Sequence, residues 1–299
     1  MPQNATFPAV KRSILMLGLV VSLAAACGGD DDGAGTSTPI TDEGTTFPPG
    51  SVSVRASSDL AVGSERLLVG VAAPDGTRLG SPEAIVAFEI APVDEPERTS
   101  TFPATFTWIV PDAIGIYRAT VEFDVAGPWQ VTVVPESGAP LAPTAFDVNA
   151  EPMTPAIGEP APAVATPTTV DRPIEQLTTD PSPDPTLYDL SLDEAVNSGA
   201  TSVVIFATPK FCQTTACGPM LDAIKEVATS HPDVEFLHLE VYDGFWESGF
   251  APDATNLTEA VRAWNLPSEP WVFVVGADGN VRARFEGVVD TAELEATLS

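Results

Sequence analysis

Nine prolines fall between residues 150 and 185 of this 299-residue chain, and they constrain how everything else can be organised. Proline carries no backbone N–H, so a segment this rich in it suits neither a helix interior nor a central strand. The run EPMTPAIGEPAPAVATPTTVDRP, followed by TTDPSPDP, reads as an extended linker or as a strap over a neighbouring domain. Residues 51–149 lie before it and 186–299 after it, each stretch long enough for its own core.

Residues 51–149 read as all-β. SVSVRA, ERLLVGVAA, AIVAFEIAP, ATFTWIV, GIYRATVEFD and PWQVTVVP are short runs rich in β-branched and aromatic residues. Turn signals such as Pro74-Asp75-Gly76 and Ala126-Gly127-Pro128 separate them at sandwich-like intervals. Residues 115–133 are similar to the last two strands of immunoglobulin-like modules. That resemblance implies core positions for Tyr117 and Trp129. This stretch contains no cysteine or histidine and shows no catalytic constellation.

After Pro185 the patterns alternate. Ser191 with Glu194 makes a capping box for a short helix, and SVVIFA (202–207) is a continuous apolar run typical of a strand buried on both faces. Met220, Leu221, Ile224 and Val227 form a helical stripe, followed by the strand VEFLHLEV (234–241). A helix is expected over Asn256–Trp264 and a strand over Trp271–Gly276. A turn at Asp278-Gly279 leads into Val281–Phe285, and a last helix is capped at Asp290. The expected order is β-α-β-α-β-β-α, that is, a parallel βαβ unit followed by an antiparallel hairpin.

The N-terminus carries a different kind of signal. Lys11 and Arg12 precede an apolar stretch from Ile14 to Ala26, too short for a comfortable membrane span. The stretch ends in Leu23-Ala24-Ala25-Ala26-Cys27, which resembles a bacterial lipobox; residues 1–27 are then a lipoprotein signal peptide with Cys27 lipidated. An ordinary secretory signal cut near Ala26 is the alternative. Either implies export, and the first implies anchoring to the cell membrane on its extracytoplasmic face. Residues 28–50, rich in Gly, Asp, Thr and Pro, read as a disordered tether.

Residues 186–299 resemble the thioredoxin-like superfamily. The features that carry the resemblance are the strand SVVIFA leading into FCQTTACGPMLDAI, the segment Asn265-Leu-Pro-Ser-Glu-Pro270-Trp-Val-Phe-Val-Val, and the Asp-Gly hairpin closing at Phe285-Glu-Gly287. The fold class this implies is a multidomain chain, an all-β immunoglobulin-like sandwich followed by an α/β thioredoxin-like domain. The resemblance also implies a Cys-x4-Cys redox pair, with Cys212 as nucleophile and Cys217, about one turn into the helix, as resolving thiol. Pro270, expected to be cis, would offer backbone pairing to an extended substrate, Glu269 would set local charge, and Phe211 stands where the family has tryptophan. The family's buried acidic residue would fall at Ile205, which cannot move a proton. A bridge between cysteines five apart demands that Gln213–Thr215 be non-helical, because on one continuous helix the two would diverge.

The partners implied are thiols or disulfides of exported proteins, with no cofactor and no resident metal. Copper(I) handling is the alternative, with Cys212, Cys217 and Met220 as soft ligands. His231 and His238 are read as structural or surface residues. A redox-inert binding or scaffold lipoprotein, with the cysteines as a structural staple, is the third reading. The net charge of −29 excludes nucleic acid and anionic headgroups as binding partners.

Overall fold

The structure is a computed structural model, and it describes residues 46–298. The expected signal peptide, the expected lipidation site Cys27 and most of the expected tether lie outside the described residues. The described residues belong to one compact unit that contains two sheets.

The first sheet is formed by β1 (Val52–Arg55), β2 (Gly63–Ala72), β3 (Arg78–Leu79), β4 (Val86–Pro92), β5 (Ser100–Val110), β6 (Ile114–Phe123), β7 (Gly127–Pro135) and β8 (Thr144–Val148). All its ladders are antiparallel, along the path β1-β2-β6-β5-β4-β7-β8, with β3 on the flank of β2. β5 explains the continuity. Its first half, Ser100–Ala104, pairs with β4, and its second half from Thr105 onwards pairs with β6, so one strand joins the two halves of the sheet. At the far ends Ser53 of β1 meets Thr144 of β8 through their hydroxyls at 2.7 Å, and the sheet nearly closes on itself. Alternating residues fill the interior. Tyr117 and Trp129 are buried, as expected, and Phe88, Val121, Phe123 and Val131 pack with them. Gly115 admits the Phe106 ring, since a Cβ there would stand 2.0 Å from it.

After the proline-rich segment the chain forms α1 (Leu192–Asn197), β9 (Thr201–Ala207), α2 (Cys217–Ser230), β10 (Val234–Glu240), α3 (Glu259–Ala263), β11 (Trp271–Val275), β12 (Val281–Glu286) and α4 (Thr291–Glu295). The second sheet runs β10-β9-β11-β12, with β9 and β10 parallel and the other pairs antiparallel.

The expected fold class is corrected. Strands hold 35% of the described residues and helices 15%, so the molecule is predominantly β rather than a sandwich followed by an α/β thioredoxin-like domain. The first sheet is one near-barrel, not two separate layers. In the second half only α2, at 14 residues, is of ordinary helix length, and the other three helices have five or six. The reason is local. The stripe expected over Asn256–Trp264 forms a helix only between the cap at Thr258 and Asn265, whose φ of 50° turns the chain. Irregular chain does the covering instead: Ala161 and Val164 of the proline-rich segment pack with Trp264, Phe273 and Phe206. Trp264 Nε1 also donates to the Pro162 carbonyl at 3.0 Å. The segment is thus a strap. It pairs with the start of β12 through Pro160 and Asn280, then runs on to pack Leu177 and Tyr188 into the opposite core.

Polar groups join the two sheets. Arg284 of β12 bonds Asp59 and Thr154 at 2.9 and 2.8 Å and pairs with Glu65; Asp59 also accepts from the backbone N–H groups of Met153 and Thr154. Arg66 holds Glu293 of α4 through two bonds, and Arg118 approaches the same carboxylate at 3.2 Å. In a chain with 13 Lys and Arg against 42 Asp and Glu, three arginines are committed to this seam.

Candidate functional site

β9 carries a run of six buried residues from Ser202 to Ala207, with Thr208 buried beyond it, and the chain then leaves the sheet in a loop. Phe211 N–H donates to Thr208 O at 3.1 Å and starts the turn. Thr215 lies in the left-handed region at φ 62°, and α2 begins immediately afterwards at Cys217. Gln213–Thr215 is therefore non-helical, which the bridge requires. Cys212 and Cys217 form a disulfide, their Cα atoms 6.1 Å apart. Cys217 is the first residue of α2 rather than lying a turn inside it, because the left-handed residue and the N-cap at Ala216 postpone the helix start.

The two sulfurs are not equivalent. Cys217 is completely buried among Met220, Ile224 and Val272, whereas Cys212 is half-buried at the rim of the same core. Cys217 N–H points at Cys212 Sγ from 3.3 Å, and the Thr214 hydroxyl lies at the same distance from that sulfur. An N–H from the first turn of a 14-residue helix is a free donor at the positive end of the macrodipole. Both features favour negative charge on Cys212.

Phe211 packs its ring against Phe250 and Tyr242, at centroid distances of 5.2 and 6.2 Å, and Lys210 Nζ stands 5.4 Å from its centroid. The Glu269–Pro270 peptide is cis. Pro270 is buried one residue before the Trp271–Phe206 pair, at the end of the sheet where β9 gives way to the cysteine loop. It has no N–H, and its carbonyl accepts from Gly287 N–H at 2.9 Å. Glu269 is half-buried, and that burial pushes its carboxyl above the usual range. The Tyr242 phenol is also pushed up, first by burial and then by the nearby Glu269.

A buried polar cluster below the loop was not anticipated. His238 of β10 is 2% exposed. Its Nε2 faces the Ala207 carbonyl at 3.1 Å; a carbonyl only accepts, so Nε2 carries the proton. Nδ1 then accepts from the Tyr188 hydroxyl at 2.7 Å. Glu240, two residues on, accepts from Thr179 N–H at 2.8 Å and from the Thr179 hydroxyl at 2.7 Å. Asp180 pairs with Lys225 of α2. The strand period shows how β10 could have revealed this: Phe236, His238 and Glu240 share one face, so a histidine and a carboxylate follow an apolar residue into the core.

Burial holds His238 down to about 4 from 6.5, with the Ala207 bond acting the other way. A depressed histidine contributes stability that is complete above its unfolded value and is lost as pH falls from about 6.5 towards 4. Over that window the loss is about 3 kcal/mol. Glu240 has the opposite sign, because burial raises its carboxyl, so its contribution is lost as pH rises through its folded value. Comparison with His238→Gln separates the two, since Glu240 is present in both proteins. Urea titrations at pH 7 and pH 4 are expected to show the parent losing about 3 kcal/mol more than the variant. Parallel pH profiles would show that His238 is not held neutral.

His238 therefore spends both ring nitrogens inside the protein, and Met220 is core, 4% exposed. His231 closes α2 with Nδ1 3.0 Å from the Val227 carbonyl. No protein-family model and no curated protein sequence matches this chain.

Proposed function

We propose that this chain is an exported, lipid-anchored protein that performs thiol–disulfide exchange at Cys212–Cys217. The observation that carries the reading is the asymmetry of the pair. One sulfur is reachable and receives two donors, Cys217 N–H and the Thr214 hydroxyl, while the other is sealed in the core. A structural staple has no need of such a difference. The lipobox resemblance at Leu23–Cys27 supports the location, and an oxidising compartment suits the disulfide.

The chemistry follows from access. A partner thiolate attacks Cys212 Sγ, the Cys212–Cys217 bond breaks, a mixed disulfide forms on Cys212, and Cys217 leaves as a thiolate. The partner's second thiolate then attacks its own sulfur in the mixed disulfide and expels Cys212. The partner has lost two electrons to form its disulfide; the pair has gained them and, with two protons, becomes a dithiol. Run backwards, the same steps reduce a partner disulfide, with Cys212 as the attacking thiolate.

The test is the reduction potential of the pair, read by thiol-labelling mass spectrometry across a glutathione series. A reversible transition between about −120 and −270 mV is the expected result. A bridge still intact below about −300 mV would mark a structural staple and end the proposal. A dithiol that never oxidises would also end it and would make Cu(I) titration the next experiment.

A further inference from the structure

We infer that Thr179, on the proline-rich strap, is a positioning residue for the Cys212 loop, linking that loop to the buried Glu240; the inference rests on the exchange chemistry proposed above. Three bonds make the link. Glu240 Oε2 accepts from both the backbone N–H and the hydroxyl of Thr179, at 2.8 and 2.7 Å. The Thr179 oxygen in turn accepts from Lys210 N–H at 3.2 Å, two residues before Cys212. Glu240 is 6% exposed at the end of β10, and its other oxygen accepts from Val241 N–H at 3.1 Å, so the carboxylate is fixed in the sheet. The strap on either side is fixed as well. Thr178 lies against His238 Nδ1 at 3.3 Å, and Asp180 is paired with Lys225 of α2, the helix that begins at Cys217.

The Thr179 hydroxyl has one proton and donates it to Glu240, which leaves its lone pairs for the Lys210 N–H. Lys210 N–H donates to this hydroxyl and not to the carboxylate itself. The hydroxyl turns a rigid buried acceptor into one that reaches the loop. The loop otherwise has few internal ties ahead of Cys212, chiefly Phe211 N–H to Thr208 O. The orientation of the Cys212 sulfur towards Cys217 N–H and Thr214 thus depends on a contact made by a residue 33 positions away in the chain.

Thr179→Val keeps the shape and the backbone N–H to Glu240 but removes the bridging oxygen. Thr179→Ser restores it. Two readouts are needed on the full exported chain. In the oxidised protein, the Lys210 amide is expected to exchange hydrogen about tenfold faster in T179V and within twofold of the parent in T179S, which matches the loss of one hydrogen bond. In the reduced protein, Cys212 alkylation by iodoacetamide is expected to change at least threefold in T179V and to return in T179S. An unchanged Lys210 amide, or equal alkylation rates in all three proteins, overturns the inference. Neither readout requires turnover, so a pair that proved too reducing for exchange would sink the proposed function and leave this result readable. A merely structural role would lower the melting temperature without moving the alkylation rate.

Discussion

Replacing Arg284 with alanine is expected to destabilise the fold by about 3–5 kcal/mol, among the largest effects of any single side chain outside the apolar cores. The reason is what the change leaves behind. Asp59 is 3% exposed as a residue, and the Arg284 guanidinium is its cationic partner. Without Arg284 the carboxylate keeps the N–H groups of Met153 and Thr154 and the Thr154 hydroxyl, but no positive charge. Glu65 suffers too. Burial already pushes its carboxyl up, with Arg284 the largest opposing influence, so in the variant it moves higher still. Arg284→Lys retains the charge but not the fork that reaches Asp59, Thr154 and Glu65 together, and an intermediate loss is expected. Equilibrium urea unfolding at pH 7 measures all three proteins. A loss below about 1 kcal/mol for the alanine variant would mean that the pair does not hold the sheets together.

The second large effect separates the two cysteines. Cys217→Ser leaves Cys212 at the rim with its N–H donor and no resolving thiol, so it should accumulate long-lived mixed disulfides with partner thiols. Cys212→Ser leaves a sulfur that is completely buried and should trap nothing. Both should abolish exchange. Non-reducing gels of the variants with a dithiol partner protein distinguish the roles; equal trapping by both would overturn the assignment of nucleophile and resolving residue. Stability should respond far less. The bridge closes a loop of only six residues, worth about 2 kcal/mol in the chain-entropy account.

The strands and the cysteine loop were legible because their signals are local. Alternation marked most of the near-barrel, the apolar run marked β9, and five-residue spacing required a non-helical connection between the cysteines. Closure of the first sheet was not legible, since it depends on β5 changing partners halfway along an apparently ordinary strand. β8 (Thr144–Val148) was missed, as a five-residue run that follows three prolines between 135 and 143. Helix lengths were overestimated where an apolar stripe continued past a turning residue such as Asn265. The Thr179–Glu240–Lys210 link could not be read at all, because it joins a linker threonine to a strand and a loop through tertiary contact alone.

The strap has one more consequence. A four-stranded sheet offers two raw borders on which a foreign chain can polymerise, and this one has its borders at β10 and β12. The same segment reaches both: its early part bonds Gly158, Glu159 and Ala161 to the start of β12, and its later part lays Tyr188 against β10. Rich in a residue that cannot donate, it covers the β12 border without itself becoming a template, which disfavours pairing between copies of the chain.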